Sequence, residues 1–284
     1  IEDESGKKIR DFNESNLHVV NYSTPIDEVM SAESLKERIH TLPEHPDWIP
    51  YLTSYYKDYW GFCMTHNKFK ELNGENYKVV INSKKEEGLL HYGELFIQGE
   101  TDDEILVSTY ICHPSMCNDN LSGVSLATYL AKNLSITKNR FSYRFLFIPE
   151  TIGAIVWLSD NEDKLNRIKH GLVVTCVGDS GKSTYKRTRD GNTELDQAVE
   201  KVLLDSKSDY KIIDFFPTGS DERQFSSPGF NLPMGSLMRS VYGQFPEYHT
   251  SADNLDFVKK DKLYDSFQKY MSIFSILEKN DFYL

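Results

Sequence analysis

The run Cys112-His113-Pro114-Ser115-Met116-Cys117-Asn118-Asp119-Asn120-Leu121-Ser122-Gly123 places an imidazole and a carboxylate on one short connection. Both groups are good zinc ligands. Glu150, Asp179 and His249 add two further carboxylates and a second imidazole downstream. A set of this kind could hold a divalent metal ion if the fold brings its members together. Each residue alone carries little. An Asp after a strand commonly closes a turn or caps a helix, and a lone His is more often simply hydrogen-bonded. Cys112 and Cys117 flank His113 and could also be ligands, although a buried, inert thiol is the commoner fate of cysteine.

The elements around these residues give them collective weight. A strand is predicted at 104–111, immediately before His113, and a helix at 122–134 after it. A second strand, 143–148, leads to Glu150 and a helical piece at 154–159. A third, 171–177, ends at Asp179. A helix at 194–204 has Thr193 as its cap, a loop-rich stretch at 216–248 precedes His249, and a last helix is expected at 260–278. Strands alternating with helices predict an α/β fold, a three-layer sandwich with a mostly parallel central sheet. In such sheets ligands gather beyond the carboxyl ends of the strands. His113 with Asp119, Glu150, Asp179 and His249 each follow a separate element, so one sheet edge could collect them.

Residues 1–90 read differently. They hold a strand-like piece at 17–22, a short helix capped by Ser31, prolines at 43, 46 and 50 around Trp48, and an aromatic run at 54–64. Strand-like runs at 77–82 and 89–97 follow. The pattern predicts a small β-rich, aromatic module attached to, or inserted in, a main domain at 91–284.

Composition narrows the function classes. The 284 residues carry a formal charge of −11, which disfavours a nucleic-acid partner, since binding a phosphate backbone needs clustered Lys and Arg. No apolar run is long enough to span a bilayer. The four cysteines show no CxxC pairing, which fits a reducing cytoplasm. The opening Ile1-Glu2-Asp3-Glu4 is neither a start methionine nor a signal peptide, so the chain reads as a fragment or as one whose true N-terminus, with any signal it carried, lies upstream.

The motif His113-Pro114-Ser115-x-x-Asn118-Asp119-Asn120-x-Ser122-Gly123, followed by Glu150-x-x-Gly153, Asp179 and Tyr248-His249-Thr250-x-x-Asp253, resembles the zinc aminopeptidases of the M28 clan. Pro46-Asp47-Trp48-Ile49-Pro50, Trp60-Gly61-Phe62-Cys63 and Gly219-Ser220-Asp221-Glu222-Arg223-Gln224-Phe225 extend the likeness across the chain. They resemble the aminopeptidase-like DUF4910 family with its associated DUF2172. The resemblance implies a zinc-exopeptidase-like fold and Zn²⁺ as cofactor. It implies Asp119 as bridging ligand, His113 and Asp179 at a first metal and His249 at a second. Glu150 becomes the general base acting on metal-activated water.

One departure limits the analogy. Where these aminopeptidases have two consecutive acids, this chain has Glu150-Thr151. A hydroxyl replaces a strong ligand, so the expectation is one tightly held zinc rather than two, unless Asp221 or Glu222 compensates. Asp221, Glu222, Arg223 and Arg239 are candidate substrate-binding groups, pairing with an amine or a carboxylate. Tyr248 is a candidate oxyanion donor. The expected substrate is a small molecule or short peptide with a free amine or an N-acyl group, and a homo-oligomer is left open. Two rival readings remain at this point. One is single-zinc acyl transfer of the glutaminyl-cyclase kind, and the other is a metal-stabilised binding protein without turnover.

Overall fold

A computed structural model describes residues 1–280, which form two compact units. The first comprises 1–89, 114–116 and 247–253, and the second comprises 90–113, 117–246 and the described residues from 254 onward.

The first unit contains β1 (Ile26–Ser31), α1 (Ala32–Lys36), β2 (Ile39–His40), β3 (Phe62–Cys63), α2 (His66–Lys70) and β4 (Asn76–Ile81). β1 pairs antiparallel with β4, and β2 pairs parallel with β3. In β4 the alternation is clean: Tyr77, Val79 and Ile81 are buried, while their neighbours face outward. Those three side chains pack with Leu35, Phe62 and Met64 into a core of their own. Ser31 caps α1, accepting from the N–H of Ser34. The strand expected at 17–22 is instead a 3₁₀ turn, Asn16–His18, followed by isolated bridges. His18 is buried and its Nδ1 lies 2.8 Å from the Cys63 carbonyl, which turns the chain inward there.

The second unit is built on a seven-stranded sheet. Its elements are β5 (Gly93–Ile97), β6 (Glu104–Tyr110), α3 (Ser122–Leu134), β7 (Ser142–Ile148), α4 (Ile152–Asp160) and β8 (Ile168–Val173). β9 (Ser183–Lys186), α5 (Glu194–Asp205), β10 (Tyr210–Ile213), α6 (Glu222–Phe225), β11 (Met234–Met238) and α7 (Lys260–Lys279) complete it. The strand order is β10-β9-β11-β8-β6-β7-β5. The β10–β9, β11–β8, β8–β6 and β6–β7 pairs are parallel, and the β9–β11 and β7–β5 pairs are antiparallel.

β6 is buried along its whole length, as a central strand covered on both faces must be. Ile105 and Val107 point into the core built with α3, α5 and α7, whereas Leu106 joins Ala154 and Trp157 of α4 on the opposite face. β7 divides in the same way, with Tyr143 and Phe145 on one side and Leu146 and Ile148 on the other. These two cores make the three layers.

The stretch at 216–248 is not uniformly loop: it contains α6 and β11. In β11 every residue is buried, and a Cβ on Gly235 would stand 2.5 Å from the Tyr185 hydroxyl. That close approach of backbone to ring requires glycine there. α5 begins with a reciprocal cap in which the Thr193 side chain accepts from the Asp196 N–H and Asp196 accepts from the Thr193 N–H. Thr193→Ala is expected to cost about 1 kcal/mol. Thermal unfolding should show it as a fall of about 2–4 °C in Tm.

Candidate active site

The parallel strands β8, β6 and β7 are neighbours, and their carboxyl ends carry Asp179, His113 and Glu150 respectively. His113 is the centre of what the sheet assembles. Its side chain is 8% exposed, and its Nε2 lies 3.9 Å from Glu150 Oε2. Cys112, His113 and Glu150 present ligand-type atoms within 4.8 Å of one another, and Asp119 lies within the same distance of His113. A nitrogen, a sulfur and carboxylate oxygens in that arrangement suit a borderline-soft divalent cation, so the donor set fits zinc.

Asp119 sits at the bottom of the site with no exposed surface. The Tyr110 hydroxyl donates to Asp119 Oδ1, and it also lies 2.6 Å from the Thr175 hydroxyl. The Tyr110 ring packs 5.0 Å from the His113 ring. Burial first, and the Asp119 charge second, push the Tyr110 phenol well above its ordinary range, so it remains a donor. The motif gave Tyr110 no role. The one available signal was a phenol ending an apolar strand, where a buried hydroxyl needs a partner.

The neighbours of Asp119 explain the rest of the motif. Asn118 Oδ1 accepts from the Gly178 N–H at 2.9 Å, and its amide donates to Asp179 Oδ2 at 2.9 Å. Asn120 donates to the Thr109 hydroxyl and to the carbonyls of Tyr110 and Val174. Ser122 Oγ donates to the Asn118 carbonyl and accepts from the Val177 N–H. A Cβ on Gly123 would come within 2.3 Å of Asn120 Oδ1, so this helix start accepts only glycine. The Asp119–Asn120 peptide is cis.

Asp179, Glu222 and Arg239 take other partners. Asp179 is buried, and its carboxylate accepts from Asn118 Nδ2, from Ser240 Oγ and N, and from the Gly181 N–H. It joins neither of the clusters around His113. Glu222 has no exposed surface and pairs with Lys186 at 2.8 Å, sharing its Oε1 with the Tyr242 hydroxyl. Arg239 is also buried, and is held by the Gly181 carbonyl and by Asp265 at 2.8 Å. These two charges lock loops together. Tyr248 and His249 belong to the first unit, where their rings stack at 3.9 Å and the Tyr51 ring meets His249 edge-on.

Asp221 and Arg223 converge on Thr151, the residue that stands where a second acid was expected. Asp221 Oδ1 accepts from the Thr151 N–H at 2.7 Å, and Arg223 Nη2 lies 3.4 Å from Thr151 Oγ1. Thr151 has φ of 65°, a left-handed conformation that costs a β-branched residue about 1–3 kcal/mol. The Asp221 bond helps hold that strained turn directly after Glu150. On the other side, the Glu150 N–H donates to Cys112 Sγ at 3.2 Å. Burial pushes the Cys112 thiol up to about 12, so its sulfur becomes a ligand only where a cation displaces that proton.

Comparison with known proteins bears on the family and the fold. The family described as a domain of unknown function, DUF4910, matches residues 4–280. The chain belongs to the DUF4910 family. A curated Clostridium acetobutylicum relative, provisionally named for polysaccharide biosynthesis with an aminopeptidase-like domain, is 58% identical over 100% of this chain. The chain spans 65% of that relative's length. A crystal structure from Clostridium acetobutylicum, provisionally named a peptidase, superposes with a TM-score of 0.96 at 58% identity, over 98% of this chain and 66% of that one. The zinc aminopeptidase of Bacillus subtilis shares the fold at 12% identity, with a TM-score of 0.63 over 87% of this chain and 67% of that one. A glutaminyl cyclase from an Acidobacteriales bacterium does so at 14% identity, with a TM-score of 0.57 over 68% and 75% respectively. This DUF4910 chain therefore has the zinc-aminopeptidase-like fold expected of it. No helix among its described residues is long and apolar enough to cross a membrane.

Asp221 yields a pH signature. Burial, reinforced by the Glu150 charge, holds its carboxyl well above the usual carboxylate range, and its Oδ2 is buried without a hydrogen-bond partner. The folded state therefore keeps this proton more tightly than the unfolded chain does. Stability from this group is lost as pH rises from about 4, the unfolded carboxylate value, towards the raised folded value. Asp221→Asn keeps an acceptor for the Thr151 N–H and removes the charge. In metal-free protein the variant should melt about 2–4 °C above wild type near neutral pH. The two should converge at about pH 4, where both side chains are neutral. Thermal melts across that range check the sign.

Proposed function

We propose that this DUF4910 chain is a metal-dependent amide hydrolase acting on a short peptide or N-acyl substrate, with Glu150 as general base. The observation that carries this reading is the Glu150 carboxylate at 3.9 Å from His113 Nε2, with Asp119 also within ligand distance of His113, at the ends of adjacent parallel strands. His113 and Asp119 are the ligands this geometry supports best. The motif resemblance adds Asp179 and His249, which metal analysis of their variants tests. A zinc ion held there supplies Lewis acidity, polarising the scissile carbonyl and making water a stronger acid.

The protein's own groups do the rest. Tyr110 holds one oxygen of Asp119, and Asp119 lies within ligand distance of His113. Glu150 is 26% exposed, open enough to meet water and substrate. It takes the proton from the attacking water and returns it to the departing amine. The turn at Thr151, tied to Asp221, keeps the Glu150 backbone in place through that transfer. With Thr151 offering no carboxylate, one metal per chain is the expected occupancy.

Elemental analysis and turnover of an aminoacyl anilide test the assignment together. Wild-type protein should bind about one zinc, and His113→Ala should lose it. Glu150→Gln should retain zinc while losing a factor of about 10²–10⁴ in kcat. Unchanged zinc in His113→Ala, or full turnover in Glu150→Gln, overturns the reading. Loss of ammonia from an N-terminal glutamine peptide without cleavage would move the reaction to the cyclase class.

A further inference from the structure

The sheet of the second unit ends on β10 at one side and on β5 at the other, and the two edges are finished differently. β10 contains Lys211 and is bracketed by Asp209 and Asp214. Charges so placed keep a strand edge from pairing with another chain. β5, Gly93-Glu94-Leu95-Phe96-Ile97, has no lysine, proline or bulge, and it pairs with β7 in an unbroken register. Its one acid is already engaged: Glu94 accepts from Arg144 and from Trp157 Nε1, the latter at 3.1 Å. Leu95 and Phe96 are 43% and 41% exposed. The outer side of β5 therefore offers a row of backbone amides and carbonyls flanked by apolar side chains.

The helix beside this edge lacks a cover in the same way. α4 runs Ile152-Gly153-Ala154-Ile155-Val156-Trp157-Leu158, apolar on every side. A helix of that kind is normally buried all round, yet Ile152, Ile155 and Val156 are exposed. The Trp157–Glu94 bond joins α4 to β5. Phe96, two residues on from Glu94, lies on the same face of the sheet, with the Arg144 guanidinium 4.7 Å from its ring centre. Strand edge and helix face thus make one apolar border, and a border of two elements marks an interaction surface.

An open edge accepts any extended strand; the fit of β5 to itself selects the occupant. We propose that a second copy of this chain pairs along β5, antiparallel about a two-fold axis at Leu95, and continues the sheet across both molecules. In that register Leu95 faces the partner's Leu95, Glu94 faces the partner's Phe96 and Gly93 faces the partner's Ile97. No like charges stand opposite one another, as a stable strand pair requires. The two Phe96 rings become diagonal neighbours, which is within reach for aromatic side chains. Because the axis is perpendicular to the sheet, both copies of α4 come to the same face of the joint. Stable dimers bury about 800 Å² per partner, and the helix face contributes to that area along with the strand. The protected β10 edge prevents head-to-tail growth, so the assembly closes at two. This pairing does not depend on the reaction assigned to Glu150.

Sedimentation equilibrium over about 1–100 µM protein tests the pairing. Wild type should reach twice the chain mass at the upper end of that range. Leu95→Lys and Leu95→Glu each set like charges face to face across the axis, and each should weaken the dimer at least about tenfold. An equimolar mixture of the two variants should recover dimers, because opposite charges then meet; misfolding of either variant would not produce that rescue. Tyr210→Lys on the β10 edge should leave the dimer unchanged. A wild-type monomer at about 100 µM overturns the inference and leaves the edge to an extended segment of another protein. An undiminished dimer in either Leu95 variant, or folded variants whose mixture stays monomeric, overturns it as well.

Discussion

The second unit depends above all on three consecutive buried polar side chains, Asn118, Asp119 and Asn120, meeting partners at the ends of β6 and β8. A carboxylate and two amides taken out of water cost several kcal/mol unless they are hydrogen-bonded. Here Tyr110 serves Asp119, Gly178 and Asp179 serve Asn118, and Thr109, Tyr110 and Val174 serve Asn120. Those partners come from β6 and from the connection that leaves β8, so the network forms only when those two strand ends lie side by side. The same bonds that bury the turn therefore align the strand ends, and His113 is aimed by a scaffold that is already satisfied. Gly123 belongs to this constraint, because any side chain there would displace Asn120.

A second layer of charge supports the β7 end of the site. Lys186 and Glu222 are both fully buried, and the ammonium also bonds the Thr218 carbonyl and lies 3.9 Å from the centre of the Phe216 ring. A buried pair of this kind adds little net stability, but it strongly penalises arrangements in which either charge is left alone. It thereby fixes the segment that delivers Asp221 to the Thr151 N–H and Arg223 to the Thr151 hydroxyl. Thr151 lost the chemistry of a second acid, yet the backbone around it is held as firmly as a catalytic turn needs. Asp221 is thus best understood as a positioning group, and Glu222 as the anchor beneath it.

How far the sequence could be read depended on whether a segment's partners were local. α3, α5 and α7 were legible nearly to the residue, since apolar spacing and the Thr193 cap are local signals. The central strands were legible because a strand buried on both faces is a continuous apolar run. β9, β10 and β11 were not, and the reasons lie in their residues. β9 holds Lys186, whose burial depends on Glu222 far along the chain, and β11 contains Gly235 and Ser236, which read as loop. The 17–22 piece failed in the opposite direction: its apolar residues imply a strand, but His18 bonds Cys63 and the chain never pairs regularly.

By itself the sequence determined the α/β class, the main helices and central strands, and the set of imidazoles and carboxylates that could do chemistry. It did so because apolar periodicity and motif spacing record short-range requirements directly. Only the tertiary structure decided which of those charges face one another. It brought Glu150 and Asp119 to His113, drew Glu222 and Arg239 into internal ion pairs, and engaged Asp179 in four hydrogen bonds. A charged side chain has the same spacing in the chain whether it is ligand, base or lock. Its role is set by burial and by partners that are remote in sequence, and those exist only once the sheet has formed.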